Sequence, residues 1–194
     1  MGQVRISIWT PARRASFAGL AFLVAGCVAP TRETFDLAMA PSALQVAMGG
    51  PVLGVREPTA TPPTSSERVV VRNVDGSVAL LPDAQWSQPL PRLLRERMIE
   101  ALQRRGVAAS RIGFGSNRAL ATDIRRFEID AARNVAVVEI AVYIVDESSG
   151  ATRAGHSFSA EAQTPENIGS GAVSALGQAA AQALAKMADW ARGR

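Results

Sequence analysis

Apolar residues recur along this chain with two different spacings, and the switches between them mark out its elements. In residues 34–38 (Thr-Phe-Asp-Leu-Ala) apolar and polar side chains alternate, as a first strand requires, and residues 52–56 carry a second short run. The stretch Pro58-Thr59-Ala60-Thr61-Pro62-Pro63-Thr64-Ser65-Ser66 follows. Its prolines fix φ and remove backbone donors, so it reads as a loop at a sheet margin. Residues 68–72 and 77–81 are β-rich and separated by Asn73-Val74-Asp75-Gly76, which predicts a hairpin with a glycine-assisted turn. Past residues 82–86 the spacing becomes helical. Leu90, Leu94, Met98, Ala101 and Leu102 share a stripe that runs to about Arg105, and Gly106 supplies the stop. Arg92, Arg95 and Glu96 lie opposite, and Glu100 and Arg104 are spaced as an i,i+4 ion pair. Arg97 falls inside the stripe, where only a snorkelling side chain fits.

Three strands are expected next, at 120–129, 135–145 and 156–163. The middle one is apolar on both parities, with Val138, Ile140, Val142 and Ile144 on one face and Val137, Ala141, Tyr143 and Val145 on the other. That pattern belongs to a central strand covered on both sides. Asp146-Glu147-Ser148-Ser149-Gly150 is a turn, and the third strand is poor in large apolar residues, as suits an edge. A terminal amphipathic helix has Val173, Leu176, Ala180, Leu184, Met187 and Ala191 on one stripe, against Ser174, Gln178, Gln182, Lys186 and Asp189. The expected fold is α+β: a single domain with a mostly antiparallel sheet and two helices packed on one face. The second apolar face of the central strand then calls for a cover, which a second copy or a partner would provide.

Composition narrows the function. With 194 residues, 47% of them hydrophobic, the chain can build one ordinary core. The net charge of +4 misleads, because Arg5, Arg13 and Arg14 all precede Cys27 with no acidic residue among them, leaving about +1 for the rest. Nucleic-acid binding loses its main support. One cysteine cannot form an internal disulfide or a multi-thiolate metal site, and one histidine excludes paired-imidazole zinc sites.

Residues 1–26 have the anatomy of an export signal: basic residues ending at Arg13-Arg14, an apolar run over 15–25, then small residues. The run is about half the ~20 apolar residues a spanning helix needs. Its end, Leu23-Val24-Ala25-Gly26-Cys27, resembles the bacterial lipobox. On that reading residues 1–26 are removed, Cys27 receives diacylglycerol and an N-acyl chain, residues 27–33 form a lipidated tether, and 34–194 fold as the domain. Two or three acyl chains at ~0.8 kcal/mol per buried CH₂ hold such a protein on a membrane almost permanently. Val28 and Ala29 follow the cysteine in place of the aspartate of inner-membrane retention, and the resemblance to the sorting rule implies the outer membrane.

From Phe35 to Trp190 the layout resembles the ABC-type transport auxiliary lipoproteins, a PqiC-like family. The carrying features are Cys27, the strand Phe35-Asp36-Leu37, the hairpin 68–81, and Gln85-Trp86-Ser87-Gln88-Pro89-Leu90, similar to the family's Arg-Trp-Ala-Glu-Pro-Leu segment. Arg126-Phe127-Glu128, the acidic-Gly turn and the terminal helix complete it. The sequence departs from the family in having Phe35 for a tyrosine and Gln85 for an arginine. The resemblance implies a periplasm-facing outer-membrane lipoprotein, a non-catalytic accessory of an MCE-domain protein, a permease and an ATPase that move lipid between membranes. It also implies a homo-oligomeric ring as one form of assembly. Trp86, Pro89 and Leu90 are then motif residues of structural rather than catalytic role.

The sharper chemical readings are weak beside it. His156 could act as a base only beside a nucleophile, and neighbouring Ser157 points to the opposite face of a strand. Trp86, at the helix entry, reads as a core or staple residue. Asp146, Glu147 and Ser148 lack the regularly spaced oxygens of an EF-hand. Gly113-Phe114-Gly115 and Gly169-Ser170-Gly171 do not continue into nucleotide fingerprints and read as flexible joints, and no G-x-x-x-x-G-K-[ST] loop is present. No catalytic residue, cofactor or metal ligand is expected. The alternative function is an envelope lipoprotein that activates cell-wall synthesis or assists outer-membrane assembly.

Overall fold

A strand apolar on both parities needs a neighbour on each edge and cover on each face, and this one has both. The computed structural model describes residues 32–37, 51–113, 115–165 and 169–194. In chain order they form β1 (Glu33–Phe35), β2 (Leu53–Val55), β3 (Arg68–Arg72), β4 (Val78–Trp86), α1 (Leu90–Arg104), β5 (Ala109–Arg111), β6 (Arg118–Asp130), β7 (Val135–Asp146), β8 (Thr152–Gln163) and α2 (Gly169–Arg192). The eight strands make one sheet, in which β7 runs between β6 and β8. One face of β7, from Ala136 through Val138, Ile140 and Val142 to Ile144, enters the core shared with both helices. On the other face Val135, Val137, Ala141 and Val145 are 9% exposed or less within the single chain. Tyr143, also expected on this face, and the neighbouring Glu139 keep partial exposure, so the single chain covers most of this face but not all of it.

The sheet is mixed, which corrects the expectation of a mostly antiparallel one. β3–β4, β6–β7 and β7–β8 pair antiparallel, whereas β1–β4, β2–β5, β2–β6 and β3–β6 pair parallel. Tight turns join only the antiparallel neighbours. The parallel partners lie far apart in sequence and are reached through the proline-rich loop and α1, as parallel pairing demands. One edge of the long β6 is shared: it takes β2 at 118–120, a bridge from Thr59 at Asp123, and β3 at 128–130.

Two boundaries differ from the sequence reading. β4 continues through Pro82 to Trp86, because the proline falls where the β3–β4 ladder shifts between Val70↔Leu80 and Arg68↔Gln85 and no amide is called for. β5 was not expected; at three residues, paired parallel to β2, it is too short to carry a period. Residue Ala38 of the expected first strand lies outside the described residues. Gly169-Ser170-Gly171, expected as a joint, opens α2 instead. That helix buries Ala172, Ala175, Ala179, Ala180, Ala183, Ala188 and Ala191 among Leu176, Leu184 and Met187, small side chains that let its backbone lie close to the sheet. No helix among the described residues is long and apolar enough to cross a membrane.

Candidate functional site

The motif residues Trp86, Pro89 and Leu90 come together where four segments meet. Trp86 is the last residue of β4 and pairs with Phe35 of β1; its ring is 1% exposed and meets Phe127 edge-on, with centroids 5.8 Å apart at 82°. The Trp86 amide donates to the Glu67 carbonyl at 2.8 Å, and the Ser87 amide to the Phe35 carbonyl at 2.8 Å. Pro89 caps α1 with extended backbone (φ −48°, ψ 130°) and no side-chain acceptor. The first-turn amides, which a capping serine would otherwise help satisfy, find carbonyls: Leu90 donates to Ser66 at 3.1 Å, and Arg92 and Leu93 to Pro89. Leu90 itself is buried. The Trp-x-x-Pro-Leu signature is thus a joint that fixes β1, the proline-rich loop and the start of α1 to one another.

A pair of charges ties the N-terminal segment to the same joint. Arg97, expected to snorkel, instead donates from Nη2 to Asp36 Oδ2 at 2.9 Å and from Nη1 to Glu100 Oε1 at 2.6 Å. Burial works to lower its pKa, and the Glu100 and Asp36 contacts outweigh it, so the guanidinium stays firmly charged. Leu37, next along, is 1% exposed. The Glu100–Arg104 pair expected from spacing is long, at 3.9 Å.

On the face of the sheet away from the helices lies a chain of ion pairs that the sequence did not disclose as a unit. Glu128, whose side chain is 5% exposed, accepts Nε and Nη2 of Arg72 at 3.0 and 2.9 Å and Nε of Arg126 at 2.8 Å. Asp130 accepts Arg133 Nε at 3.0 Å, and Arg133 reaches on to Glu161 at 2.9 Å. Burial pushes the Glu128 carboxyl upward, but the two arginines prevail and hold it below the ordinary carboxylate range. The arrangement clamps β3 to β6, with Glu128 and Asp130 in register beside Val137 and Val135 of β7. Its one sequence signal was the Arg126-Phe127-Glu128 segment; Arg72 is 56 residues away from Glu128.

Other candidates stand as ordinary structure. His156 is exposed on β8, its ring 4.8 Å from Phe158 and stacked 6.3 Å from Trp190, and Ser157 faces the opposite side of the strand. Asp146 Oδ1 accepts the amides and hydroxyls of Ser148 and Ser149, while Oδ2 accepts Arg153 at 2.9 Å. These bonds, Ser148 foremost, hold its carboxyl well below the usual range and use its lone pairs to shape a turn. Among the described residues no group of three His, Cys, Asp or Glu side chains could hold a metal ion. An open groove of about 400 Å³ is lined by Thr59, Ala60, Thr61, Asp123, Ile124 and Arg125, where the Thr59 hydroxyl donates to Asp123. Cys27 lies outside the described residues.

Comparisons with known proteins bear on the whole domain. Residues 34–188 match the model of the ABC-type transport auxiliary lipoprotein component family. Nothing among curated proteins matches the chain. A crystal structure of a Xanthomonas campestris protein of the DUF330 family superposes with a TM-score of 0.68 at 23% identity, covering 82% of this chain and 94% of that one. The crystal structure of an uncharacterized protein gives 0.67 at 18% identity, covering 83% and 99%. At these identities the likeness is one of fold. With a family match over nearly all of the folded domain, and its Trp-x-x-Pro-Leu joint inside that match, the chain belongs to the ABC-type transport auxiliary lipoprotein component family.

Proposed function

We propose that this protein is an outer-membrane-anchored periplasmic lipoprotein, acylated on Cys27, that serves as the non-catalytic accessory subunit of an MCE/ABC-type intermembrane lipid transport system. The observation that carries this reading is the family match over residues 34–188. It is supported by the lipobox ending at Cys27 and by a leader too short to span. The Asp36–Arg97 pair and the Glu128 clamp hold segments of the domain to one another, which suits a subunit that aligns other components. Its partner would be the MCE-domain protein, with the acyl chains fixing the domain to the membrane while ATP is hydrolysed elsewhere in the assembly.

The test is affinity capture of the full chain from detergent-solubilised envelopes, with mass spectrometry of the bait and of what accompanies it. An acylated Cys27 together with an MCE-domain protein is the expected result. Cell-wall synthases or outer-membrane assembly factors in its place would replace the transport reading with the alternative one. An unmodified Cys27 would remove the anchor.

A further inference from the structure

Among the described residues four large apolar side chains stay exposed, and three of them lie on the β3–β4 hairpin: Val74 at 79%, Val78 at 48% and Leu80 at 38%. Val78 and Leu80 pair with Arg72 and Val70 of β3, so they share the sheet face away from the helices. Val74 stands in the turn, whose polar groups bond to one another. The Asn73 amide donates to the Ser77 carbonyl and the Gly76 amide to the Asn73 carbonyl, each at 2.9 Å. The Ser77 amide donates to Asp75 Oδ1 and Asn73 Nδ2 to the Ser77 hydroxyl, also at 2.9 Å, while Arg72 Nη1 covers the Gly76 carbonyl at 3.3 Å. A turn bonded in this way loses water at less cost than one with open amides.

The entry of the chain lies at the same end. Glu33 pairs with Ala84 and β1 runs parallel to β4, so the residues before Glu33 approach from the hairpin side. Cys27 precedes Glu33 by six residues, a reach of at most about 21 Å. On the neighbouring strand Val78 precedes Ala84 by the same six residues, about 20 Å. Measured along the strands, Cys27 at full stretch is level with Val78, and the turn 73–77 projects beyond it.

We infer that the hairpin tip seats on the phospholipid surface that holds the acyl chains of Cys27, with Val74 and Val78 in the interface and Leu80 at its margin. The inference rests on the acylation of Cys27 proposed above. Acyl chains begin at the membrane, and a tether no longer than the strand beside it brings the projecting tip to the bilayer when the strands stand upright. The contact is apolar in kind. Asp75 is the one charged residue of the turn, and the guanidinium of Arg72 is engaged by Glu128, so no cationic cluster is offered to anionic headgroups. The Asp75 carboxylate limits the tip to headgroup depth. Two attachments, the acyl chains and the tip, then fix the tilt of the domain and hold the Asp146–Gly150 turn at the far end of the strands, away from the membrane.

The experiment uses the full chain purified from membranes and reconstituted into phosphatidylcholine vesicles that contain a spin-labelled quencher lipid, with intact-mass spectrometry to establish the state of Cys27. An acylated sulfur is closed to thiol reagents, so Val74→Cys, Ser77→Cys and, at the opposite end, Ser148→Cys each take a single polarity-sensitive fluorophore. The probes at 74 and 77 are expected to shift to the blue and to be quenched at least about threefold more than the probe at 148. Val74→Asp with Val78→Asp should lower quenching of the Ser77 probe at least about twofold, with far-UV circular dichroism unchanged, and salt between about 0.05 and 0.5 M should leave it unaltered. An acylated chain whose probes at 74 and 77 stay as wet as the one at 148 would overturn the seating, leaving the anchor in place and the patch to a protein partner. Quenching that survives the two aspartates would overturn it as well, since the tether alone would then account for the proximity. An unmodified Cys27 would remove the anchor and the seating together.

Discussion

Glu128 is the residue on which the outer-face clamp turns. It is the buried member of its ion pairs, while Arg72 and Arg126 keep part of their hydration, with side chains 41% and 34% exposed. Removing it takes the nearest carboxylate from both Arg72 and Arg126 and leaves Asp130, 3.7 Å from Arg126, as the remaining acid beside them. Glu128→Ala is therefore expected to cost about 2 kcal/mol of stability in urea unfolding, less than for a fully buried pair. The pH dependence has a definite sign. Because the folded-state carboxyl lies below its ordinary value of 4.5, the stability it contributes is complete above that value and disappears as pH falls through the lower folded value. Glu128→Gln should flatten that acid limb of the stability profile. Such a clamp is barely legible in a sequence: each charge reads as a solvated face, and only the register Val70↔Glu128 and Arg72↔Asp130 brings the partners together.

At the level of elements, periodicity was a good guide wherever an element was long. α1, β6 and β7 fall within two residues of the expected ranges, because each repeats its apolar spacing several times, whereas β8 begins at Thr152, four residues before its expected start, where large apolar side chains are missing. β5 is too short for a period to show, and proline masks the extension of β4, a strand that has no need of an amide there. A single glycine stops α1. Gly106 has φ +73°, and behind it the Val107 amide closes on the Leu102 carbonyl at 3.0 Å. Gly106→Ala puts a Cβ into the left-handed region and is expected to cost about 1 kcal/mol, or about 3 °C in Tm by calorimetry, with α1 still formed.

For the molecule as a whole, the sequence yielded a two-helix, one-sheet domain but not the order of its strands. Alternation tells which side of a strand is buried and is silent about which strand lies beside it. The parallel partners of β6, drawn from β2 and β3, are set by a loop and a helix whose paths no local pattern records. One of these parallel pairings has a mechanical side. β1 runs parallel to β4, from Glu33↔Ala84 to Phe35↔Trp86, so the chain enters from the side of the hairpin turn. The Asp146–Gly150 turn lies at the opposite end of the strands, since Asp146 pairs with the first residue of β6. A pull between residue 32 and Ser148 thus runs along the strands and loads the β1–β4 hydrogen bonds in shear, all at once, with Leu37 and the Asp36–Arg97 contact behind them as a stop. Single-molecule force spectroscopy with handles at those positions should record one abrupt rupture and no gradual peeling. A domain pulled through residue 32 carries its load in line with its strands, as a spliced rope does.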